Sequence, residues 1–190
     1  MVKYTPYQTR YLAEQIVLRR AKDSYDNMAS AISGVKVDLN PHQVDAALFA
    51  MKSPLSTGAL LADEVGLGKT VEAGLGLAQY WAERKRRILI IVPASLRTQW
   101  RTELSEKFYI DSILLDSTIY NKAKKAGQFN PFEADNQVVI CSYNFAARKD
   151  AEIRAIPWDL IIMDEAHRLR NVYKPSNIMG NKLKKALQGR

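Results

Sequence analysis

Two polar stretches of the chain carry the residue types that phosphate chemistry needs. The first is DEVGLGKT, residues 63–70. Its glycines and polar side chains match a phosphate-binding turn: Gly66, Gly68, Lys69 and Thr70. In such a turn the backbone N–H groups point at phosphate oxygens, the lysine adds positive charge and the threonine hydroxyl ligates Mg²⁺. The stretch predicts a nucleotide site, although Asp63 stands where the general pattern has its first glycine.

The second stretch is LIIMDEAH, residues 160–167, an apolar run that ends in acids. Hydrolysis of a nucleotide needs a carboxylate to hold Mg²⁺ and a group to orient water. We assign the metal to Asp164, mostly through its water shell, and the polarisation of water to Glu165. The alternative is an ordinary turn or helix cap, and the presence of the glycine loop favours the catalytic interpretation.

His167 stands close to these acids, so a metal site must be weighed. The chain contains one other histidine, His42, and one cysteine, Cys141, and neither is near His167 in the sequence. Three scattered ligands would have to converge. We therefore expect a hydrogen-bonding or coupling role for His167.

The composition is that of an ordinary globular domain with a basic surplus. The 190 residues include 28 Lys and Arg against 20 Asp and Glu, a formal net charge of +8. This surplus favours a polyanionic partner, with a solvated basic surface as the alternative. Cys141 lies in an apolar run and predicts a buried free thiol and a cytoplasmic setting. The longest apolar run, ILIIVPA, is too short to span a membrane, and no secretion signal is visible.

Apolar runs alternate with helical patterns along most of the chain. The predicted strands are TGALLAD, RILIIVPA, SILLDS, QVVICSY and WDLIIMDEAH. The predicted helices are HQVDAALFAMK, KTVEAGLGLAQYWAERKR, SLRTQWRTELSEKF with Ser95 as its cap, NFAARKDAEIRAI and SNIMGNKLKKALQ. The segment from Thr118 to Asn136 is interpreted as a polar connection. The alternation predicts an α/β fold with a parallel sheet covered on both faces.

Together, LLADEVGLGKT and DEAHRLRN resemble the Swi/Snf-type ATPases of helicase superfamily 2, within the bacterial branch of polymerase-recycling and phage-defence helicases. The loop of that family reads D-E-x-G-L-G-K-T, which accounts for Asp63. The resemblance extends from about Leu39 to about Tyr173 and implies ATP and Mg²⁺ as cofactors. It implies catalytic roles for Lys69, Asp164 and Glu165. It also implies nucleotide contacts in the loop by Glu64, Gly66, Leu67, Gly68, Lys69 and Thr70.

Three further stretches fit the resemblance. LNPHQVDAA is similar to the adenine-recognition motif, in which Gln43 would both donate to and accept from the base. The alternative is a solvent-exposed glutamine at a helix start. IVPASLRTQW and CSYN resemble segments that meet the nucleic-acid backbone. This implies phosphate contacts by Ser95, Arg97, Ser142 and Tyr143, and a helix cap, a solvated arginine or strand-end packing remain alternatives.

The resemblance implies a three-layer RecA-like P-loop NTPase lobe with a parallel sheet. We expect a helical N-terminal extension at residues 1–37 and the first RecA-like ATP-binding lobe at residues 38–190. The family's next motif and its second lobe, with an arginine finger, are absent from this sequence. The lobe is therefore expected to be incomplete, truncated from a longer protein, and weakly active or inactive alone.

The implied function is a DNA-dependent ATPase that translocates on double-stranded DNA and displaces or remodels bound protein. Two alternatives remain: a non-motor module that binds nucleotide and nucleic acid, and a small-molecule P-loop kinase. DEAHRLRN and the lack of a recognisable acceptor-binding lid argue against the kinase. A second lobe in a longer reading frame would favour the motor over the non-motor module.

Overall fold

The computed structural model describes residues 40–52, 58–62, 68–134, 136–172, 174 and 176–188. The predicted extension at 1–37 lies outside the described residues, as do Asp63, Glu64, Gly66 and Leu67 of the glycine loop. The described strands are β1 (Ile88–Val92), β2 (Ser112–Leu114), β3 (Val138–Ser142) and β4 (Leu160–Met163). The described α-helices are α1 (Pro41–Lys52), α2 (Lys69–Ala82), α3 (Arg97–Phe108), α4 (Ser117–Lys125), α5 (Tyr143–Arg148), α6 (Asp150–Arg154) and α7 (Ile178–Leu187).

The four described strands form one sheet in the order β2-β3-β1-β4, and every neighbouring pair is parallel. In the central strand, Ile90 lies opposite Ile140 of β3 and Ile162 of β4. Parallel strands all end at the same edge of the sheet. The residues that follow β1, β3 and β4 are therefore brought together there.

The core has two halves, one on each face of the sheet. Ile88, Ile90 and Val92 belong to the cluster that includes α1, α2 and α3. Leu89 and Ile91 belong to the cluster on the other face, with side chains of α4 to α7. All five residues of β1 are buried, as expected for a strand covered by helices on both faces. The predicted three-layer α/β class and parallel sheet are confirmed.

A close approach between α2 and α3 gives a stability prediction. A Cβ at Gly74 would clash with the buried ring of Phe108, whereas a Cβ at Gly76 would meet nothing. Because alanine favours a helix over glycine by about 1 kcal/mol, Gly76→Ala should raise the free energy of unfolding. Gly74→Ala should lower it by about 1–3 kcal/mol through overpacking. Urea unfolding compares the two variants, and equal stabilities would contradict the close approach.

Two element predictions in the first half of the chain are corrected. The described part of TGALLAD, residues 58–62, forms no strand, and Leu60 is 75% exposed. An apolar run becomes a strand only when a neighbour pairs with its backbone, and among the described strands β4 pairs with β1 alone. Ser95 does not cap α3. It lies in the 3-10 turn Ala94–Leu96, and Leu96 occupies the cap position without a side-chain hydrogen bond.

Two further corrections concern the second half. The segment interpreted as a polar connection contains α4, which begins after Asp116. The Asp116 carboxylate accepts hydrogen bonds from the N–H groups of Thr118 and Ile119, and Tyr120 is the buried side chain of the helix. NFAARKDAEIRAI forms two helices, α5 and α6, which are separated at Lys149. An aspartate cap was the signal available for α4.

Cys141 is a free thiol in β3 and is fully buried, as predicted. Burial raises its pKa to about 12, so the thiol stays protonated at neutral pH. Within the described ranges, no helix combines the length and apolarity needed to cross a membrane.

Candidate functional site

The carboxyl edge of the sheet gathers most of the residues selected from the sequence. Ser95 follows β1, Ser142 and Tyr143 lie at the end of β3, and Asp164 follows β4. Helix α2 packs against β4 and is joined to the first residue of β1 by the short link 83–87. It must therefore run opposite to the strands, so that it begins at the carboxyl edge. In open α/β sheets ligands bind at this edge.

The described end of the glycine loop has the geometry of a tight turn into a helix. Gly68 adopts a left-handed backbone with φ 89°, and its carbonyl accepts hydrogen bonds from the N–H groups of Val71 (2.7 Å) and Glu72 (3.2 Å). Lys69 and Thr70 are half-buried in the first turn of α2. The N–H groups of a first helical turn lack intrahelical acceptors and favour negative charge. This turn is suited to phosphate.

Gln43 lies against the loop rather than in solvent. Its side chain is only 6% exposed, and its Oε1 accepts a hydrogen bond of 3.2 Å from the Asn40 N–H. A Cβ at Gly68 would stand 2.5 Å from the amide nitrogen of Gln43. The solvent-exposed alternative for Gln43 is therefore wrong. The amide adjoins the residue that begins α2.

In the described part of the candidate site, Asp164 is held by four hydrogen bonds. Its N–H donates to the Ile91 carbonyl (3.0 Å), which ties the end of β4 to β1. One carboxylate oxygen accepts from the Trp100 indole N–H and the other from the Glu165 N–H, each at 2.8 Å. The carbonyl of Asp164 accepts from the Tyr143 hydroxyl at 2.8 Å. Neighbours from β1, α3 and α5 thus hold this one residue.

Burial raises the pKa of Tyr143 to about 12, and the negative charge of Asp164 contributes to the rise. The hydroxyl therefore keeps its proton throughout the physiological range. Its role as a hydrogen-bond donor to Asp164 therefore does not change within that range.

Glu165 and His167 form an exposed pair next to Asp164. Nδ1 of His167 lies 2.9 Å from Oε2 of Glu165, and the two side chains are 55% and 48% exposed. Glu165 has φ 56°, a left-handed backbone that is unfavourable by about 1–2 kcal/mol in a residue other than glycine. Strained residues of this kind concentrate at functional sites. The distance lies within hydrogen-bonding range, and the coupling role of His167 stays a prediction.

The four residues assigned to nucleic acid differ in exposure. Ser95 is exposed, and the half-buried Arg97 uses its Nε to donate to the Ala94 carbonyl at 3.3 Å. Ser142 is half-buried and caps α5, because its Oγ accepts from the Phe145 N–H at 3.3 Å. Tyr143 is only 3% exposed and supports Asp164 from beneath the surface. Ser95 is thus the most exposed of the four and Tyr143 the least, and a phosphate contact by any of them stays a prediction.

Sequence reasoning missed Trp100. Its ring is 3% exposed, and a buried indole N–H nearly always finds an acceptor. The tryptophan in IVPASLRTQW was therefore a signal that an acceptor lay nearby. The sequence could not show that this acceptor is Asp164.

The basic stretch ERKRR lies at the opposite edge of the sheet, between α2 and β1. The backbone N–H groups of Arg86 and Arg87 donate to Asp159 at 3.1 and 3.0 Å. The Arg86 guanidinium lies 4.2 Å from the centre of the Trp81 ring. Arg86 and Arg87 therefore make contacts within the chain, at the edge away from the candidate site.

A solved structure shares this architecture. It is a Sulfolobus solfataricus SWI2/SNF2 ATPase core in complex with dsDNA, with a TM-score of 0.64 and 22% sequence identity. The similarity covers 80% of this chain and 30% of that one. It shows that the two proteins share a fold.

Sequence relatives are closer. The RNA polymerase-associated protein RapA of Serratia proteamaculans is 40% identical over 144 residues, as is RapA of Yersinia enterocolitica. Each match covers 74% of this chain but only 15% of the relative, so the chain spans a small part of the length of those proteins. The family model described as SNF2-related domain matches residues 12–187. This chain therefore belongs to the SNF2-related domain family.

Proposed function

We propose that the chain is the ATP-binding lobe of a DNA-dependent ATPase that moves on double-stranded DNA or remodels protein–nucleic-acid complexes. One observation carries the proposal: the start of α2 and the constrained acid after β4 lie at one edge of one sheet. Family membership supports hydrolysis of ATP. The related structure is a complex with dsDNA, and the RapA relatives are named for their association with RNA polymerase.

The residues assigned to the site have distinct roles in the proposed reaction. The Lys69 ammonium stabilises charge on the β- and γ-phosphates, and Gln43 binds the adenine edge. Glu165 orients the attacking water and accepts its proton. The loop residues Glu64, Gly66, Leu67 and Gly68 are assigned to the nucleotide from the family pattern. His167, beside Glu165, is assigned to coupling between hydrolysis and motion.

Thr70 and Asp164 suit Mg²⁺, because this ion takes oxygen ligands and keeps several waters. Each Asp164 oxygen accepts one hydrogen bond, and a carboxylate has about four acceptor positions. Capacity therefore remains for a cation or its water shell. When bound, Mg²⁺ neutralises charge on the triphosphate. Trp100 and the Glu165 N–H fix the carboxylate that would hold it.

The nucleic-acid surface is assigned to Ser95 and Arg97, which follow β1, and to Ser142 at the end of the neighbouring strand β3. A net charge of +8 favours a polyanion. We divide the chain into an N-terminal extension (1–37) and a first RecA-like lobe (38–190). A second lobe of the same protein would face the nucleotide and supply an arginine finger, which is worth about 10³–10⁵ in rate. We place the motor in the cytoplasm, where a DNA-bound protein is the substrate to be displaced.

Steady-state ATP turnover by the full-length protein tests the proposal. Duplex DNA should stimulate turnover, and the stimulation should weaken as salt rises, because binding releases counterions. Nucleotide and DNA binding without turnover would instead indicate the non-motor module. Turnover that responds to a small metabolite and not to DNA would indicate the kinase.

A further inference from the structure

We propose that Trp100 and Tyr143 are positioning residues that transmit nucleic-acid contact to the Asp164 carboxylate. This inference rests on the proposed function and adds to it a physical route from DNA to the metal ligand. The route consists of two hydrogen bonds. One comes from the helix after β1 and the other from the helix after β3.

Trp100 orients the side chain of Asp164. The indole nitrogen is a donor only, and burial of the ring leaves it dependent on this one acceptor among the described residues. The bond to one oxygen and the Glu165 N–H on the other fix the plane of the carboxylate. The acceptor positions that remain for a cation therefore have a set direction.

Tyr143 fixes the backbone under that side chain. Its hydroxyl donates to the Asp164 carbonyl, and the ring is packed in the core on the α4–α7 face. The bond joins the start of α5 to the residue that ends β4. Movement of α5 therefore displaces Asp164.

Both donors lie in the segments IVPASLRTQW and CSYN, to which the family resemblance assigns contact with the nucleic-acid backbone. Trp100 lies in the first turn of α3, which begins at Arg97 just after Ser95. Tyr143 is the first residue of α5 and follows Ser142. A phosphate bound by Ser95 or Arg97 at the start of α3 would shift the Trp100 N–H, which sits 2.8 Å from Asp164. Because hydrogen bonds weaken steeply with distance and angle, the shift changes the geometry offered to Mg²⁺.

Trp100→Phe removes the N–H and keeps an aromatic ring, and Tyr143→Phe removes only the hydroxyl. The chain offers matched controls. The indole N–H of Trp158 donates to the Ile153 carbonyl at 2.9 Å, and the hydroxyl of Tyr120 donates to Glu152 at 2.7 Å. Trp158→Phe and Tyr120→Phe therefore lose equivalent bonds in the same fold, away from Asp164.

In the full-length protein, the Mg²⁺ concentration for half-maximal binding of a non-hydrolysable ATP analogue is measured first. Stimulation of ATP turnover by duplex DNA and the DNA dissociation constant follow. Loss of a partner that orients a metal ligand lowers metal affinity or activity by 10–100-fold. We expect the Mg²⁺ requirement of Trp100→Phe to rise about ten-fold. DNA stimulation should fall in both test variants while DNA affinity is unchanged, and both control variants should match the wild type.

The inference would be overturned if Trp100→Phe and Tyr143→Phe showed the same Mg²⁺ dependence and the same DNA stimulation as the wild type. The proposed function would still stand. The same holds if the controls change as much as the test variants, because the effect would then be general destabilisation. Tyr143→Phe keeps every ring contact, so it decides the matter if Trp100→Phe does not fold. A wild type that shows no Mg²⁺-dependent ATP binding would overturn both proposals.

Discussion

The Lys69→Ala variant is expected to lose ATP turnover by at least about 10²–10³-fold, the effect of removing one group that stabilises the transition state. Lys69 is the first residue of α2 and follows the left-handed Gly68. The turn directs this part of the chain to the carboxyl edge, near the acid that follows β4. No other described residue of α2 carries a positive charge. Alanine is a good helix former, so the fold should survive.

Lys85→Ala is the matched control for this variant. Lys85 lies at the opposite edge of the sheet, 2.8 Å from Glu83 and 4.0 Å from the centre of the Tyr80 ring. Removing it deletes the same charge without touching the candidate site. Steady-state turnover and calorimetric ATP binding should match the wild type in this control. Turnover of Lys69→Ala within ten-fold of the control would contradict the assignment.

The second large effect is expected from Glu165→Gln, which should lower turnover by about 10²–10⁴-fold, the usual contribution of a general base. ATP binding should change little, because the phosphates and the cation are assigned to Lys69, Thr70 and Asp164. Glutamine keeps the size of the side chain and meets the same left-handed backbone, so the change removes the basic group and the negative charge that faces His167. We expect Glu165→Gln to bind ATP but to hydrolyse it very slowly.

Single-turnover hydrolysis and equilibrium ATP binding separate the two effects. Glu106→Gln provides the control, because Glu106 is an exposed glutamate on α3 and has no role in the proposed chemistry. Equal losses of binding and turnover in Glu165→Gln would show that Glu165 holds the nucleotide rather than the water. Undiminished turnover would remove Glu165 from the mechanism.

The elements that could be predicted from the sequence share a simple physical origin. Strands β1 to β4 all coincide with short apolar runs. The inner strands β1 and β3 are buried along nearly their whole length, and a strand covered on both faces must be apolar at successive positions. Helix α4 was missed because its surface is mostly polar and only Tyr120 is buried. The run TGALLAD was predicted as a strand because it is apolar, but its described residues form no strand. Its apolarity is local, but pairing depends on a neighbouring strand.

The site divides in the same way. Gly68, Lys69 and Thr70 were identifiable because a tight turn into a helix needs particular residues at adjacent positions. Gln43 is buried against Gly68, which lies in a different segment of the chain. The motif resemblance alone did not decide whether Gln43 is buried or exposed to solvent.

The sequence alone determined which chemical groups this protein carries and how its strands and helices alternate. Both properties depend on residues that are neighbours in the chain. Only the tertiary structure decided that Trp100 and Tyr143 converge on Asp164. Those bonds join residues 64 and 21 positions apart in the chain. They exist because β1 lies between β3 and β4 in a parallel sheet, which brings three strand ends to one edge.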